Sequence, residues 1–390
     1  MSTPTPLAGR LVPLRTKDEV RASLETQSAY VVEVPAKFAN VVKDVVQAAI
    51  PDFKTAEISH LRRVVQFKFL PPYLQKQFYP PTRLPRVRYF LLCPTKHIQH
   101  ADLLPLIRQC PPFDAKNAMT PRVFYVTVPV LAPTSAEQAA LWSDKYWPIS
   151  YKNTNPYGPH PSLVQRNAAE IEGEAGGWLA LANMAGKQIA EKCLGEQIGV
   201  VVVDRTKGTP AVIAVAGDSR WRSPTGATEE QKGTGNVMAH AVQRAIAMVA
   251  KKRLRAAGTD PALLDRSLFC DSPLTEVEKE YYERDNIASS GYLCVDLDIY
   301  LTNEPCVMCS MAILHSRFRR CIFSTRMTRT GGMTSDGTDS MPMSGGLKHG
   351  LFWRPSELNW KFLAWEFKDD ANDKKSAVVH GVASKDMIHV

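Results

Sequence analysis

The chain has 390 residues, 44% of them apolar, with 48 Lys+Arg against 39 Asp+Glu and a net charge of +9. That length exceeds one ordinary domain, and with a mean hydropathy of -0.21 the apolar content excludes a disordered chain. No run approaches twenty apolar residues, which excludes a membrane-spanning helix and a membrane partner, and eight cysteines spread over this length exclude a disulfide framework.

Residues 1–27 read as a flexible N-terminus. Tyr30–Pro35 then reads as a strand. Ala36–Ile50 reads as an amphipathic helix, with Phe38, Val41, Val42, Val45, Val46 and Ala49 on its apolar side. Thr55–Phe69 is a strand region, and the Pro71-Pro72 and Pro80-Pro81 pairs mark a loop. Val87–Leu92, His97–Gln109 and Val123–Val128 follow as strand, helix and strand. The order βαββαβ is the split, ferredoxin-like pattern, so residues 28–130 are expected to form an α+β domain. Residues 131–161, rich in proline, are expected to be a linker.

Ser162–Cys193 reads as a long helix, bent at Gly173 and at Gly176-Gly177. Strands Ile198–Asp204 and Pro210–Ala216, a helix over Val237–Arg255, strand Val295–Thr302, a helix entered at Pro305 and strand Cys321–Thr325 complete the second domain, 162–367. This is a three-layer α/β/α arrangement on a mixed sheet. The acidic stretch of about 256–290 reads as a surface insertion. Gly331–Gly346 reads as a flexible loop, and 368–390 as a polar tail.

The charge is unevenly placed. Residues 1–150 carry 19 cations and 11 anions, whereas 151–390 carry 29 and 28. A basic domain is the electrostatic footprint of a nucleic-acid binder. Arg62, Arg63, Lys68, Arg83, Arg86 and Arg88 gather about its second and third strands and are the candidate RNA contacts. Phe78, Tyr79 and Tyr89 lie among them as candidates for stacking on unpaired bases, or as core.

The chemistry concentrates at two points. Residues 240–242 read His-Ala-Val, and 305–309 read Pro-Cys-Val-Met-Cys. The zinc-deaminase signature is H-x-E followed by P-C-x-x-C. His240, Cys306 and Cys309 therefore offer one imidazole and two thiolates for zinc, leaving a fourth position open. Val242 stands where the proton-carrying glutamate belongs. General acid–base assistance is typically worth about 10²–10⁴-fold, and valine can neither accept nor donate a proton. Gln243 and Arg244 do not replace it. Glu304 is expected in the loop entering the cysteine helix, away from that role.

At these residues the chain resembles the cytidine-deaminase-like superfamily. Through Asn303-Glu304-Pro305-Cys306-Val307-Met308-Cys309, the run on to Arg317, and His240-Ala241-Val242, it resembles more closely the non-catalytic subunit of the eukaryotic heterodimeric tRNA adenosine deaminase. Tyr146-Trp147-Pro148 resembles that family's inter-domain segment. The resemblance implies a zinc-binding pseudoenzyme that pairs with a catalytic deaminase subunit, binds tRNA and supports conversion of the wobble adenosine to inosine. Where active relatives carry an asparagine that contacts the nucleoside, this chain has Asp218, a second departure on the catalytic side. The competing readings are a stand-alone active nucleobase deaminase and an RNA-binding scaffold with structural zinc.

Two further expectations concern the ends. Met-Ser-Thr-Pro-Thr-Pro has no apolar signal-peptide core, so the expected locations are nucleus and cytoplasm. The tail closes on Met387-Ile388-His389-Val390, and the imidazole of His389 or the terminal carboxylate of Val390 is a candidate fourth zinc ligand.

Overall fold

The computed structural model describes residues 4–79, 86–115, 120–221, 235–259, 270–336 and 347–369. The chain divides into two units, residues 18–161 and residues 1–17 with 162–390. No helix among the described residues is long and apolar enough to cross a membrane.

Strand β1 (Gly9–Pro13) and helix α1 (Lys17–Leu24) come first. The smaller unit then runs β2 (Thr26–Pro35), α2 (Ala39–Ala49), β3 (Val64–Val65), α3 (Pro72–Phe78), β4 (Val87–Pro94), α4 (His100–Arg108), β5 (Val123–Pro129) and α5 (Ala136–Lys145). Its strands pair antiparallel in the order β3-β4-β2-β5. Helices α2 and α4 pack on each other. They bury Val42, Val46, Leu103 and Ile107, residues spaced four apart on one helix face.

Three segments of this unit depart from the sequence reading. The strand expected over Thr55–Phe69 shrinks to Val64–Val65, flanked by 3-10 turns at Thr55–Ile58 and Phe67–Phe69. Pro71-Pro72 opens a helix rather than a loop, because a proline at the first helical position has the right φ and no donor to lose. Residues 131–161 are no simple linker. Ser135 caps α5 by accepting from the Gln138 N–H, and Trp142, Trp147 and Ile149 are buried in the unit's core. The Trp147 Nε1–H donates to the Arg62 carbonyl at 2.8 Å, which pins the segment to a partner 85 residues earlier.

The larger unit adds α6 (Pro161–Glu191), β6 (Gly199–Asp204), β7 (Ala211–Gly217), α7 (Ala241–Ala256), α8 (Glu276–Tyr282), β8 (Leu297–Asn303), α9 (Val307–His315), β9 (Arg320–Thr325) and β10 (Leu363–Asp369). The six-stranded sheet has the order β1-β10-β9-β8-β6-β7. Pairs β8-β9 and β9-β10 are parallel and the rest antiparallel. Alternate residues of β6 serve the two faces: Val201 and Val203 pack with Ile171, Leu179 and Ala182 of α6, while Val200 and Val202 pack with α7 and α9. Each fully buried valine is worth about 1.5–3 kcal/mol of transfer free energy. The result is three layers on a mixed sheet.

Here too the structure corrects several expectations. Residues 1–27 are not uniformly a flexible lead-in, since β1 pairs antiparallel with β10 from Gly9–Asp369 to Pro13–Trp365. A proline suits such an edge strand, which needs no further donor on its open side. Helix α6 is continuous through Gly173, Gly176 and Gly177. A Cβ at Gly176 would sit 2.0 Å from the Leu7 carbonyl oxygen, so this glycine serves close approach rather than a bend. Of the stretch 331–346, residues 331–335 are buried, and 337–346 lie outside the described residues. Lys368 and Asp369 belong to β10 rather than to a tail.

The region 256–290 differs most from the reading as a surface insertion. Helix α8, capped by Thr275, packs against β7 with Val277 and Glu278 fully buried. It closes an edge that would otherwise expose unpaired backbone groups. Glu278 Oε1 accepts from the Gly217 N–H at 2.7 Å, and Arg244 donates to the Gly217 carbonyl at 2.6 Å. Lys252 Nζ donates to the Ile213 carbonyl, and Asn286 Nδ2 to the Val212 carbonyl. Burial pushes the Lys252 amine down to about 8.

Candidate metal centre

Two helix N-termini converge beneath β6 and β8. His240 is the N-cap of α7, with extended backbone at φ -62 and ψ 146. Cys306 is the N-cap of α9, also extended. Pro305 therefore lies before the N-cap, two residues ahead of the first helical residue Val307, and not in the first turn where the sequence placed it. Cys309 follows within that turn and is buried. His240 Nδ1 lies 3.5 Å from the Cys309 sulfur and 3.8 Å from that of Cys306. All three ligand atoms fall within 4.8 Å of one another.

That spacing fits a tetrahedral zinc, for which bonds of about 2.3 Å to sulfur and about 2.0–2.1 Å to nitrogen place ligand atoms roughly 3.6–3.8 Å apart. The donor set is soft, as zinc prefers. The Cys306 thiol is pulled down to about 4, first by the hydrogen bond from the Cys309 thiol and then by His240 and the Cys309 N–H. Cys309 is pushed well up by that same thiolate neighbour and by burial. Zinc binding would need both sulfurs as thiolates and so would release a proton. His240 Nε2 is buried with no partner among the described residues.

Val242 lies in the first turn of α7, buried in the apolar cluster beneath the sheet, and lines the cleft beside the three ligands. The cleft's free volume is about 50 Å³, room for a few waters. Among the described residues the cleft has two carboxylates, Asp218 and Glu304, and both are engaged elsewhere. Asp218 lines the cleft, but its Oδ2 is held by Arg220 Nε at 2.8 Å and its Oδ1 accepts from the Arg220 and Glu196 N–H groups.

Glu304 is more fully committed. Its carboxylate accepts from the backbone N–H groups of Met327, Met333 and Thr334 and from the Thr334 hydroxyl, all at 2.8–3.1 Å. Burial raises its pKa against those donors. Glu304 thereby ties segment 327–334 over the start of α9. A Cβ at Gly331 would stand 2.2 Å from that carboxyl group, so only glycine fits beneath it.

Sequence reasoning missed Arg220 and the clamp by Glu304. Arg220 had a local signal, two residues beyond Asp218. The partners of Glu304 lie 23 to 30 residues downstream, with no pattern to mark them.

The candidate RNA contacts disperse. Arg62 and Lys68 are exposed, although Arg62 Nε donates to the Ile149 carbonyl. Arg63 turns inward, its guanidinium 5.1 Å from the Phe90 ring centre and 5.9 Å from that of Phe53, and burial lowers its pKa. It is a packing residue rather than a phosphate contact. Arg86 is exposed at a left-handed φ of 58. Arg88 is half-buried and donates to the Val87 carbonyl. Arg83 lies outside the described residues, as do His389 and Val390. Phe78 and Tyr89 stack on each other with no exposure and are core. Tyr79 is exposed.

The family description "Cytidine and deoxycytidylate deaminase zinc-binding region" matches residues 177–325. The Schizosaccharomyces pombe protein named tRNA-specific adenosine deaminase subunit tad3 is 28% identical over 257 residues, 65% of this chain and 62% of that protein. The Saccharomyces cerevisiae protein named tRNA-specific adenosine deaminase subunit TAD3 is 28% identical over 56% of this chain and 54% of its own length. A Danio rerio protein named probable inactive tRNA-specific adenosine deaminase-like protein 3 is 26% identical over 55% of this chain and 54% of its own. The chain thus spans little more than half the length of the curated relatives it matches.

Proposed function

We propose, on the premise that this chain is a Tad3-like homologue carrying a deaminase zinc-binding region, that it is the non-catalytic subunit of a heterodimeric tRNA adenosine deaminase. In this reading it pairs with a catalytic deaminase subunit, contributes tRNA contacts through its basic residues 18–161, and supports conversion of the wobble adenosine to inosine. The observation that carries the proposal is Val242, buried beside the ligands where the proton carrier belongs. His240 Nδ1, Cys306 and Cys309 would hold zinc, a Lewis acid that deaminases use to activate water. Neither carboxylate of the described cleft is free to move a proton, because Asp218 is held by Arg220 and Glu304 by its four donors.

Exposed Arg62, Lys68 and Arg86 are the cations we assign to RNA, with Arg88 at their margin. The eight cysteines are free, in keeping with the reducing nucleus and cytoplasm. Reading the chain as a stand-alone active deaminase lacks an acid/base at the cleft. The test is reconstitution: inosine formation in tRNA should require both chains together. Robust turnover by this chain alone would overturn the proposal.

A further inference from the structure

A cavity larger than that at the metal centre is present among the described residues. It lies in the smaller unit, with a volume of about 520 Å³, and adjoins a second of about 160 Å³. The two share Ser59, His60, Ala132 and Pro156 as walls. Cavities of about 300–1,000 Å³ are the size that small organic ligands occupy.

His60 is the polar centre of this cleft and is only 7% exposed. Its Nε2 lies 3.0 Å from the Pro129 carbonyl oxygen. A carbonyl only accepts, so Nε2 carries the proton, and Nδ1 is left as a lone-pair acceptor. Burial lowers the ring's pKa, which keeps the imidazole neutral. Nδ1 has no partner among the described residues, yet it is not one of their sealed, unpartnered atoms. It therefore keeps accessible surface, on a residue that lines both cavities.

The remaining walls limit what could bind. Lys152 is exposed and has no carboxylate in salt-bridge range among the described residues, so an anion suits it. Glu57, the acidic wall, is committed to Lys96 at 2.9 Å and His97 at 3.1 Å. Tyr151 adds an aromatic surface. A free phosphate could meet Lys152 and offer a P–OH to His60, but it would leave most of a cavity of about 520 Å³ and the Tyr151 ring without a partner. Residues 1–150 carry a net +8, which favours a polyanionic ligand.

The geometry points to a site for one ribonucleotide whose base is unpaired, its amino or hydroxyl group donating to His60 Nδ1, its phosphate on Lys152 and its ring against Tyr151. The nucleotide comes from RNA if the tRNA-binding reading above holds, and from solution otherwise.

The test uses the full chain with four probes: AMP, inorganic phosphate, a short unstructured oligoribonucleotide, and whole tRNA. Ala132→Phe fills the cleft without removing a side-chain hydrogen bond, and Lys152→Ala removes an exposed cation that folding does not need. His60→Phe removes the acceptor, with circular dichroism to confirm folding. AMP and the oligoribonucleotide should bind the wild type and weaken about tenfold in each variant, with inorganic phosphate weaker than AMP throughout. Unchanged AMP and oligoribonucleotide affinity in both Ala132→Phe and Lys152→Ala overturns the site, while tRNA binding in those same samples leaves the wider reading standing. Conversely, AMP binding that Ala132→Phe abolishes, with no tRNA binding by the wild type, establishes the site for a free nucleotide and removes the tRNA role of this unit.

Discussion

The guanidinium of Arg244 and the carboxylate of Glu278 meet at 2.7 and 2.9 Å with no exposure on either side chain. Between them they hold both the N–H and the carbonyl of Gly217, the last residue of β7 and the neighbour of Asp218. The pair thus joins α7, which bears His240 at its start, to the edge of the sheet.

Breaking that pair should be costly. Glu278→Ala leaves a buried guanidinium uncompensated, and such losses run to about 3–5 kcal/mol. The urea midpoint of the larger unit should fall accordingly. The double replacement Arg244→Met with Glu278→Leu should recover part of the loss, since neither charge then stays buried alone. A single variant with a wild-type midpoint would show that the edge needs no such closure.

Metal content should follow the three converging side chains. Elemental analysis of the purified chain should give one zinc, and Cys309→Ala should remove it and lower the thermal midpoint, because binding and folding are linked. Full zinc occupancy in a Cys306→Ala, Cys309→Ala double variant would place the metal elsewhere.

Restoring the missing acid should not restore catalysis. Val242→Glu places a carboxylate in an apolar cluster, where burial favours its neutral form, and Asp218 remains locked to Arg220. We expect no deaminase turnover by the isolated variant, together with a loss of stability of about 1–3 kcal/mol. Measurable inosine or uridine formation by that variant alone would mean that only one residue separates this cleft from an active one.

A pH dependence follows from Asp298. It lies in β8 with 1% exposure, 3.2 Å from Arg205 Nε and 3.4 Å from Arg320 Nη1. Burial raises its pKa to about 6, against the pull of the two arginines. The folded pKa exceeds the unfolded value of about 3.9, so between those values the folded state binds more protons. Its stabilising contribution is then complete below about pH 4 and lost as the pH rises through about 6, on the order of 2–3 kcal/mol. Asp298→Asn, a neutral isostere, should reduce the slope of unfolding free energy against pH by up to one proton across that window. Identical slopes in the two proteins would show that Asp298 is charged throughout.

Much of the candidate metal centre was legible in the sequence because its parts are local. Cys306 and Cys309 are fixed by one helical turn, His240 and Val242 by another, and each motif carries its chemistry in spacings of two or three residues. The three-layer architecture was readable for the same reason: β6 and β7 are nearly continuous apolar runs, and α6 is long enough to dominate its neighbourhood.

What only the tertiary structure decided depends on partners far apart in the chain. Gly9–Pro13 has too few residues for a local pattern, and it became a strand because β10, some 350 residues later, offers an open edge. The acidic run near Glu278 looked solvated until α8 brought that carboxylate under Arg244. Glu304 and Asp218 were carboxylates near a metal motif, and only their hydrogen-bond partners removed them as proton carriers. Arg63 and Arg62 are adjacent and identical in sequence terms, yet one guanidinium lies over Phe90 and the other residue faces water. Side-chain chemistry is written in the sequence, whereas burial and partnership, which set whether a charge is spent or available, arise only when distant segments meet.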